Sequence, residues 1–290
     1  MRINADCIKC ILNRNIETAR LLGSDEQVTD FIMDLMRLLT DSPPQASSPY
    51  LAPQISRLYT KHFGLGQDRY AEEKAVSNRF VLERMEKITA LVEASQDRLY
   101  AAFQFAILGN YIDFSALQGE LSFDTLDGML EKAKEFHVDA DAFARLRADL
   151  SRGKKLLYLT DNAGEIGFDR IFAEEIHRQF PELAITFCVR GGPTLNDATR
   201  EDAALVGIPF PVIDNGSLIP GTVLSQASSQ LLDAIAQADV VIAKGQANAE
   251  TLMDTGHGYN VYYAFLAKCI RFTQRFHVPK LTPVLIHEEN

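Results

Sequence analysis

The chain has 290 residues, of which 47% are apolar and 23% are charged, and its formal net charge is −10. This charge argues against nucleic-acid binding through a basic face, and no apolar run approaches the roughly 18–20 residues of a membrane span. The opening MRINADCIKC lacks the apolar segment of a signal peptide. We therefore expect a cytoplasmic protein with reduced cysteines and with no nucleic-acid or membrane partner.

The first half of the chain is predicted to be helical. Apolar residues recur there at helical spacing, and strand-like alternation is absent from the sequence pattern. The predicted helices cover residues 7–22, 27–39, 51–63, 69–94, 97–108, 123–136 and 140–150. We assign residues 1–150 to an all-helical N-terminal domain.

The second half, residues 151–290, has a different pattern and is predicted to be a Rossmann-like α/β domain. Short apolar runs predict strands over residues 155–160, 184–189, 210–213, 240–243 and 283–287. Helical stretches at 168–180, 198–206 and 226–237 alternate with them. This alternation predicts a three-layer α/β/α arrangement with a mainly parallel sheet covered on both faces. Because no Gly/Ser-rich or Pro-rich linker separates the halves, we expect them to pack together.

Polar turns follow the predicted strands. In an open parallel sheet, ligands bind beyond the carboxyl ends of the strands, so these turns are the candidate site. The candidate site residues in these turns are Asp161, Asn162, Arg190, Gly191, Gly192, Asp197 and Lys244. The sequence lacks a P-loop and a G-x-G-x-x-G turn, so a dinucleotide cofactor is unsupported.

The side chains in these turns suit a cation and a phosphate, but each has a simpler interpretation. Asp161, Asn162 and Asp197 offer the oxygen ligands that Mg²⁺ or Mn²⁺ prefers, whereas Asp and Asn are also common helix N-caps. Arg190 and Lys244 are cations that a phosphate would need, and singly each could be an ordinary surface charge. Both interpretations stay open from the residues alone.

Three sequence blocks resemble the signature segments of the metal-dependent damage-control phosphatases. This family is also called domain of unknown function 89 or acidic-residue methyltransferase-like. The blocks are TDNAGEIGFD at 160–169, VRGGPTLNDATREDA at 189–203 and IAKGQANAET at 242–251. Further family-like segments are DRYAEEK at 68–74, AILGNYIDF at 106–114 and FLAKC at 265–269. Arg69 stands where the family pattern has proline, and the pair Cys7 and Cys10 resembles the prokaryotic C-x-x-C branch.

The resemblance implies a divalent-metal-dependent phosphatase of small phosphorylated metabolites, such as sugar phosphates or related phosphomonoesters. It implies that Mg²⁺, Mn²⁺, Co²⁺ or Ni²⁺ is held by Asp161, Asn162 and Asp197, and that metal-activated water is the nucleophile. The position two after Asp161 is Ala163, so the D-x-D of aspartyl-phosphate enzymes is absent. Whether Asp161 is only a ligand or also attacks phosphorus stays open.

The resemblance also implies roles for residues around the metal. Lys244, the lysine of the G-K-G-Q block, becomes a catalytic and phosphate-binding candidate. Arg190, Gly191 and Gly192 are substrate-binding candidates from the second turn. Asn110 is a further substrate-binding candidate from the helical part, and Asp113 is its possible companion, although a helix N-cap explains Asp113 equally well.

Two other functions remain open on the sequence. The family's older name suggests a methyltransferase, but the turn after the first strand is a poor version of the glycine-rich turn that a methyl donor needs. A non-catalytic phospho-ligand binding protein is the other alternative, and phosphate release with added metal would distinguish it from an enzyme. The pair Cys7 and Cys10 permits a zinc half-site, a redox pair or two core residues of a helix. The neighbouring apolar residues favour the core.

Overall fold

The computed structural model describes residues 1–66, 68–112, 128, 130 and 133–288. Before Lys155, every regular element among these residues is helical. These helices are α1 (Ala5–Arg20), α2 (Asp25–Asp41), α3 (Ser48–Phe63), α4 (Ala71–Leu82), α5 (Met85–Glu93), α6 (Arg98–Leu108) and α7 (Ala140–Arg152), with 3₁₀ turns at Gly109–Ile112 and Ala133–Glu135. Asp113 and most of the helix predicted over 123–136 lie outside the described residues.

Helices α1, α2 and α3 begin at polar caps and share an apolar core. The Asn4 side chain accepts a hydrogen bond from the backbone N–H of Cys7, and Ser24 and Gln27 form a capping box at the start of α2. The apolar faces of the three helices then meet around Phe31 and Tyr59, whose ring centroids are 4.7 Å apart. Both the caps and the apolar stripes are readable from the sequence.

The second half contains a six-stranded sheet. Its strands are β1 (Lys155–Leu159), β2 (Ala184–Val189), β3 (Val212–Asp214), β4 (Val240–Lys244), β5 (Val261–Leu266) and β6 (Pro283–Glu288). Five helices accompany them: α8 (Glu165–Gln179), α9 (Arg200–Leu205), α10 (Ser229–Gln237), α11 (Gly245–Leu252) and α12 (Ile270–Phe276), with a 3₁₀ turn at Leu224–Gln226. The strand order is β3-β2-β1-β4-β5-β6, and only β6 runs antiparallel to its neighbour.

Helices cover both faces of the sheet, which confirms the predicted α/β class. On one face, Tyr158 and Phe187 pack in a cluster with Phe172 of α8 and residues of α6. On the other face, Val241 packs in a cluster with Leu231 of α10 and residues of α11 and α12. Because successive side chains of a strand point to opposite faces, a continuous apolar strand needs both layers.

One predicted helix differs from the structure, and three elements, β5, α11 and α12, were not predicted. The helix predicted over 69–94 is two helices, α4 and α5, with a break at Glu83 and Arg84. No Gly or Pro marks the break; the Arg84 guanidinium donates to the carbonyl of Phe80 at 3.0 Å, which satisfies an acceptor in the last turn of α4. Strand β5 was not predicted, although all six of its residues are buried.

The two halves share apolar contacts. The cluster on one face of the sheet contains Phe103 and Ala106 from α6 as well as Tyr158 and Phe172 from beyond residue 150. The domain boundary near residue 150 stays a prediction. Among the described residues, no helix has the length and apolar character needed to cross a membrane.

Candidate active site

The turns after β1 and β2 are joined by backbone hydrogen bonds. The N–H of Ala163 donates to the carbonyl of Asn196, and the N–H of Ala198 donates to the carbonyl of Asp161, both at 2.8 Å. Asn162 and Asp197 form an isolated antiparallel bridge between the same two turns. The three predicted metal ligands are therefore brought together by the backbone itself.

This junction lies at the switch point of the sheet. The strand order reverses between β1 and β4, and a crevice forms where neighbouring connections leave to opposite faces. Asp161 follows β1, and Gly245 follows β4. The position agrees with the general rule that predicted a site at these strand ends.

Asp161, Asn162 and Asp197 are almost fully buried, with 7%, 3% and 3% of their surface exposed. The amide nitrogen of Asn162 donates to Oδ2 of Asp161 at 2.9 Å and to Oε2 of Glu165 at 2.8 Å. All three side chains line one cavity, and they offer two carboxylates and an amide. Within the described ranges, no three His, Cys, Asp or Glu side chains form a metal-binding group.

Asn110 extends the site into the helical half. It lies in the 3₁₀ turn that follows α6, and its amide nitrogen donates to Oδ2 of Asp161 at 3.0 Å and to Oε2 of Glu165 at 2.8 Å. Its amide oxygen accepts from the backbone N–H of Leu266 at 3.3 Å. Asn110 is thus held against the predicted ligands and also lines the cavity.

Gly245 leaves the space that Asp161 occupies. Its φ is +78°, a conformation that favours glycine, and a Cβ placed there would lie 1.8 Å from Oδ2 of Asp161. The first residue after β4 therefore has two reasons to be glycine. The sequence shows the glycine but does not reveal which carboxylate lies against it.

Lys244 is not at the cavity surface. Its ammonium group is buried and donates to the carbonyl of Ala106 at 2.9 Å, to Oε1 of Glu165 at 2.7 Å and to Oδ1 of Asp169 at 2.6 Å. These three bonds use all three ammonium protons. The phosphate contact predicted for Lys244 therefore has no proton available in this geometry.

For both Lys244 and Asp169, burial and the nearby opposite charges shift the pKa in opposite directions. Burial raises the pKa of Asp169 to about 7, because the low dielectric disfavours the carboxylate more than the nearby ammonium favours it. For Lys244 itself, burial lowers the pKa, but the carboxylates of Asp169 and Glu165 outweigh it and raise the pKa overall. The Tyr158 hydroxyl also donates to Oδ1 of Asp169 at 2.7 Å.

Arg190, Gly191 and Gly192 line a different cavity from Asp161. The buried Arg190 guanidinium donates through Nε to Oδ2 of Asp197 at 2.6 Å and through Nη2 to the carbonyl of Thr160 at 3.0 Å. The N–H of Gly191 is directed to Oδ1 of Asn215 and to the carbonyl of Ser217. Arg190 therefore contacts Asp197 without lining the cavity of Asp161. Gly191 and Gly192 do not line that cavity either.

The cavity of Asp161 has a volume of about 230 Å³, and helices of the N-terminal half form part of its lining. This is slightly below the range of roughly 300–1,000 Å³ typical of ligand pockets and suits a small metabolite. Sequence reasoning did not assign the lining residues Arg14, Asn15, Tyr59, Arg69, Tyr70, Gln246 and Lys268 to the site. The resemblance of segment 68–74 to a family block was the one available signal for Arg69 and Tyr70.

Residues 3–281 match the family model described as the damage-control phosphatase ARMT1-like domain. The chain belongs to this family. A protein from Archaeoglobus fulgidus named damage-control phosphatase is 31% identical over 274 residues, covering 93% of both chains. A damage-control phosphatase from Pyrococcus horikoshii is 29% identical, covering 97% of this chain and 96% of the relative. An uncharacterized protein from Methanocaldococcus jannaschii is 31% identical over 278 residues, covering 93% of this chain and 90% of the relative.

A solved structure shows the same fold. The crystal structure of a DUF89 family protein from Pyrococcus horikoshii superposes with a TM-score of 0.83 at 28% identity, and the match covers 100% of both chains. The family membership and the fold expected from the sequence blocks are thereby confirmed.

In this family member, the two N-terminal cysteines have different environments. Cys7 is buried, as the helix-core interpretation expects, and its sulfur accepts from the Arg271 guanidinium at 3.5 Å. Cys10 is exposed and lines the cavity of Asp161, so the core interpretation is wrong for Cys10.

Glu165 and Asp169 were also missed as site-supporting residues. Both side chains are fully buried on α8, where their spacing of four residues places them on one helix face. That spacing inside the family-like block 160–169 was the signal that could have indicated a shared partner. Only the folded chain identifies the partner as Lys244.

Proposed function

We propose that this protein is a divalent-cation-dependent phosphatase that hydrolyses small phosphomonoesters such as sugar phosphates. The names of the relatives from Archaeoglobus fulgidus and Pyrococcus horikoshii support phosphatase activity. The observation that carries the finer proposal is the convergence of Asp161, Asn162 and Asp197 on one metabolite-sized cavity at the switch point of the sheet.

The donor set fits a hard divalent cation. Asp161 and Asp197 supply carboxylate oxygens, and Asn162 supplies an amide oxygen, which suits Mg²⁺, Mn²⁺, Co²⁺ or Ni²⁺ better than a soft ion. When bound, such a cation neutralises phosphoryl charge and acidifies water. These three residues would hold it.

The surrounding hydrogen bonds orient these donors. The amide nitrogens of Asn110 and Asn162 both donate to Oδ2 of Asp161 and to Oε2 of Glu165. This arrangement engages the amide nitrogen of Asn162 and leaves its amide oxygen as the candidate ligand atom. Arg190 holds Asp197 by the 2.6 Å bond from its Nε.

Lys244 acts in this proposal as a positioning residue. It balances the charge of Glu165, which in turn accepts from both asparagine amides. Because Glu165 accepts from Lys244 and from both amide nitrogens, Lys244 influences the ligand geometry without contacting the substrate. This replaces the direct phosphate contact expected from the sequence.

The test is an assay of phosphate release from a panel of phosphomonoesters. Protein treated with EDTA should be inactive, and addition of Mg²⁺, Mn²⁺, Co²⁺ or Ni²⁺ should restore turnover. Full activity after exhaustive chelation would contradict the requirement for a cation. Binding of phosphomonoesters without phosphate release under any of these ions would indicate a non-catalytic binding protein.

A further inference from the structure

Two arginines of the helical half line the cavity that contains Asp161. Arg14 lies on α1, and Arg69 lies just before α4; both are half-buried. Neither guanidinium forms an ion pair with a carboxylate in the described part of the chain. Their positive charge is therefore not neutralised by a neighbouring described acid.

Arg69 is held in place by aromatic stacking. Its guanidinium carbon lies 3.9 Å from the ring centroid of Tyr59 and 5.1 Å from that of Tyr70. Tyr59 is only 1% exposed and packs on Phe31 in the core of the first three helices. A cation–π contact of this kind orients the planar guanidinium but leaves its N–H groups able to donate to an anion.

The acids on the cavity lining are Asp161, Asp197 and Glu250, and the proposed cation would neutralise the first two. Glu250 lines the same cavity, and burial raises the pKa of Glu250 to about 7, which reduces its negative charge near neutral pH. Asp197 is already paired with Arg190 behind the cavity. Lys268 adds a further cationic residue to the lining.

We propose that Arg14 and Arg69 form a second anion-binding subsite that favours phosphomonoesters carrying a further anionic group, either a carboxylate or a second phosphate. The inference rests on the proposed function, which places the scissile phosphoryl group at Asp161, Asn162 and Asp197. A cavity of about 230 Å³ lined by both groups of residues suits a small ligand that carries two anionic groups. Planar guanidinium groups match carboxylate and phosphate oxygens in geometry as well as in charge.

Matched substrate pairs test the subsite. 3-Phosphoglycerate is compared with glycerol 3-phosphate, and fructose 1,6-bisphosphate with fructose 6-phosphate. The wild-type protein should prefer the more anionic member of at least one pair by about tenfold or more in kcat/KM, as expected for charge-assisted hydrogen bonds. A larger preference in the first pair assigns the subsite to a carboxylate, and a larger preference in the second assigns it to a phosphate.

Two variants and a matched control connect the preference to the arginines. Arg69→Met keeps the aliphatic packing on Tyr59 and should bring the preference close to parity, mainly through KM of the more anionic substrate. Arg14→Gln, on a different helix, gives an independent test if Arg69→Met does not fold. Arg57→Gln removes an exposed charge from α3 that does not line the cavity and should keep the wild-type preference.

Calorimetric binding of the same ligand pairs separates the subsite from the phosphatase activity. If no ester is hydrolysed, the proposed function fails, while a binding preference that is lost in Arg69→Met or Arg14→Gln still supports the subsite. Equal binding and turnover of both members of each pair by the wild-type protein would overturn the subsite. A control variant that loses as much preference as the cavity variants would overturn it as well.

Discussion

The cavity is lined on one side by residues at the edge of the sheet and on the other by residues of the N-terminal helices. The two sides differ in how firmly their functional groups are held. On the sheet side, Asp161 and Asp197 are almost fully buried, and hydrogen bonds from Asn110, Asn162 and Arg190 define their positions. On the helical side, Arg69 is half-buried and held by ring stacking. Reacting groups need exact placement, whereas groups that recognise the rest of a ligand tolerate adjustment. The sheet side therefore suits chemistry, and the helical side suits selection among ligands.

The largest effect should come from the carboxylates of the sheet side. Asp161→Ala and Asp197→Ala should each lower the rate of phosphate release by roughly 1,000-fold or more, because each removes a ligand of the proposed cation. Asp161→Ala should keep the fold, whereas Asp197→Ala leaves the buried Arg190 guanidinium without its carboxylate and should lower the free energy of unfolding, so circular dichroism of each variant accompanies the assay. Rates are compared with Asp214→Ala, which removes a half-buried carboxylate outside the cavity. Near wild-type turnover in either cavity variant would remove that residue from the proposed cation site; the N-cap interpretation is wrong for both, because Gly164 and Thr199 are the N-cap residues of α8 and α9.

The largest loss of stability should come from the buried ion pairs of Lys244 with Glu165 and Asp169. Lys244→Met leaves Glu165 and Asp169 buried without their shared cation and should lower the free energy of unfolding by about 3–5 kcal/mol. Lys155→Met, at an exposed lysine that donates to Gln237, should change it by less than about 0.5 kcal/mol. Urea unfolding followed by circular dichroism measures both. Equal small effects would show that the Lys244 network contributes little.

Alanine variants of two glycines, Gly245 and Gly256, distinguish the effect of backbone strain from the effect of displacing Asp161. Gly245→Ala forces a left-handed backbone and pushes against Asp161, so it should cost about 1–3 kcal/mol of stability and reduce turnover. Gly256→Ala shares the strained backbone, with φ of +64°, but its Cβ meets no atom within 4 Å. Only the first variant should lose activity beyond its loss of stability. A similar loss of turnover in both would remove the contact with Asp161 as the cause.

The last expected effect is a pH dependence of stability, which is measured as a slope of Tm against pH rather than as a loss of stability at one pH. Because burial raises the pKa of Asp169 from 3.8 to about 7, the folded state binds a proton more readily than the unfolded state. The contribution of Asp169 to the free energy of unfolding therefore falls as pH rises from about 4 to 7. Asp169→Asn keeps the Oδ1 acceptor for Tyr158 and should flatten the fall of Tm across this range. Parallel Tm curves for the two proteins would contradict the raised pKa.

Much of the helical architecture and most of the sheet were predictable from local patterns. Capping residues such as Ser24 and apolar stripes such as that of α2 are local signals, and alternating strands and helices imply a sheet with two covered faces. The break between α4 and α5 was not predictable, because nothing in Glu83 and Arg84 breaks a helix by itself. Strand β5 escaped because a short apolar run does not distinguish a buried strand from a buried helix segment.

For the site, the sequence by itself determined which polar residues follow each strand, and the parallel sheet brings Asp161, Asn162 and Asp197 to one edge. Only the tertiary structure decided where the positively charged side chains of Lys244 and Arg69 point. Lys244 was predicted in the turn after a strand and is the last residue of β4, but its long side chain turns inward to Glu165 and Asp169. Arg69 is distant in sequence and reaches the cavity because Tyr59 stacks beneath it. Local sequence specifies the backbone course, whereas the direction of a long charged side chain depends on partners that only the folded chain brings near.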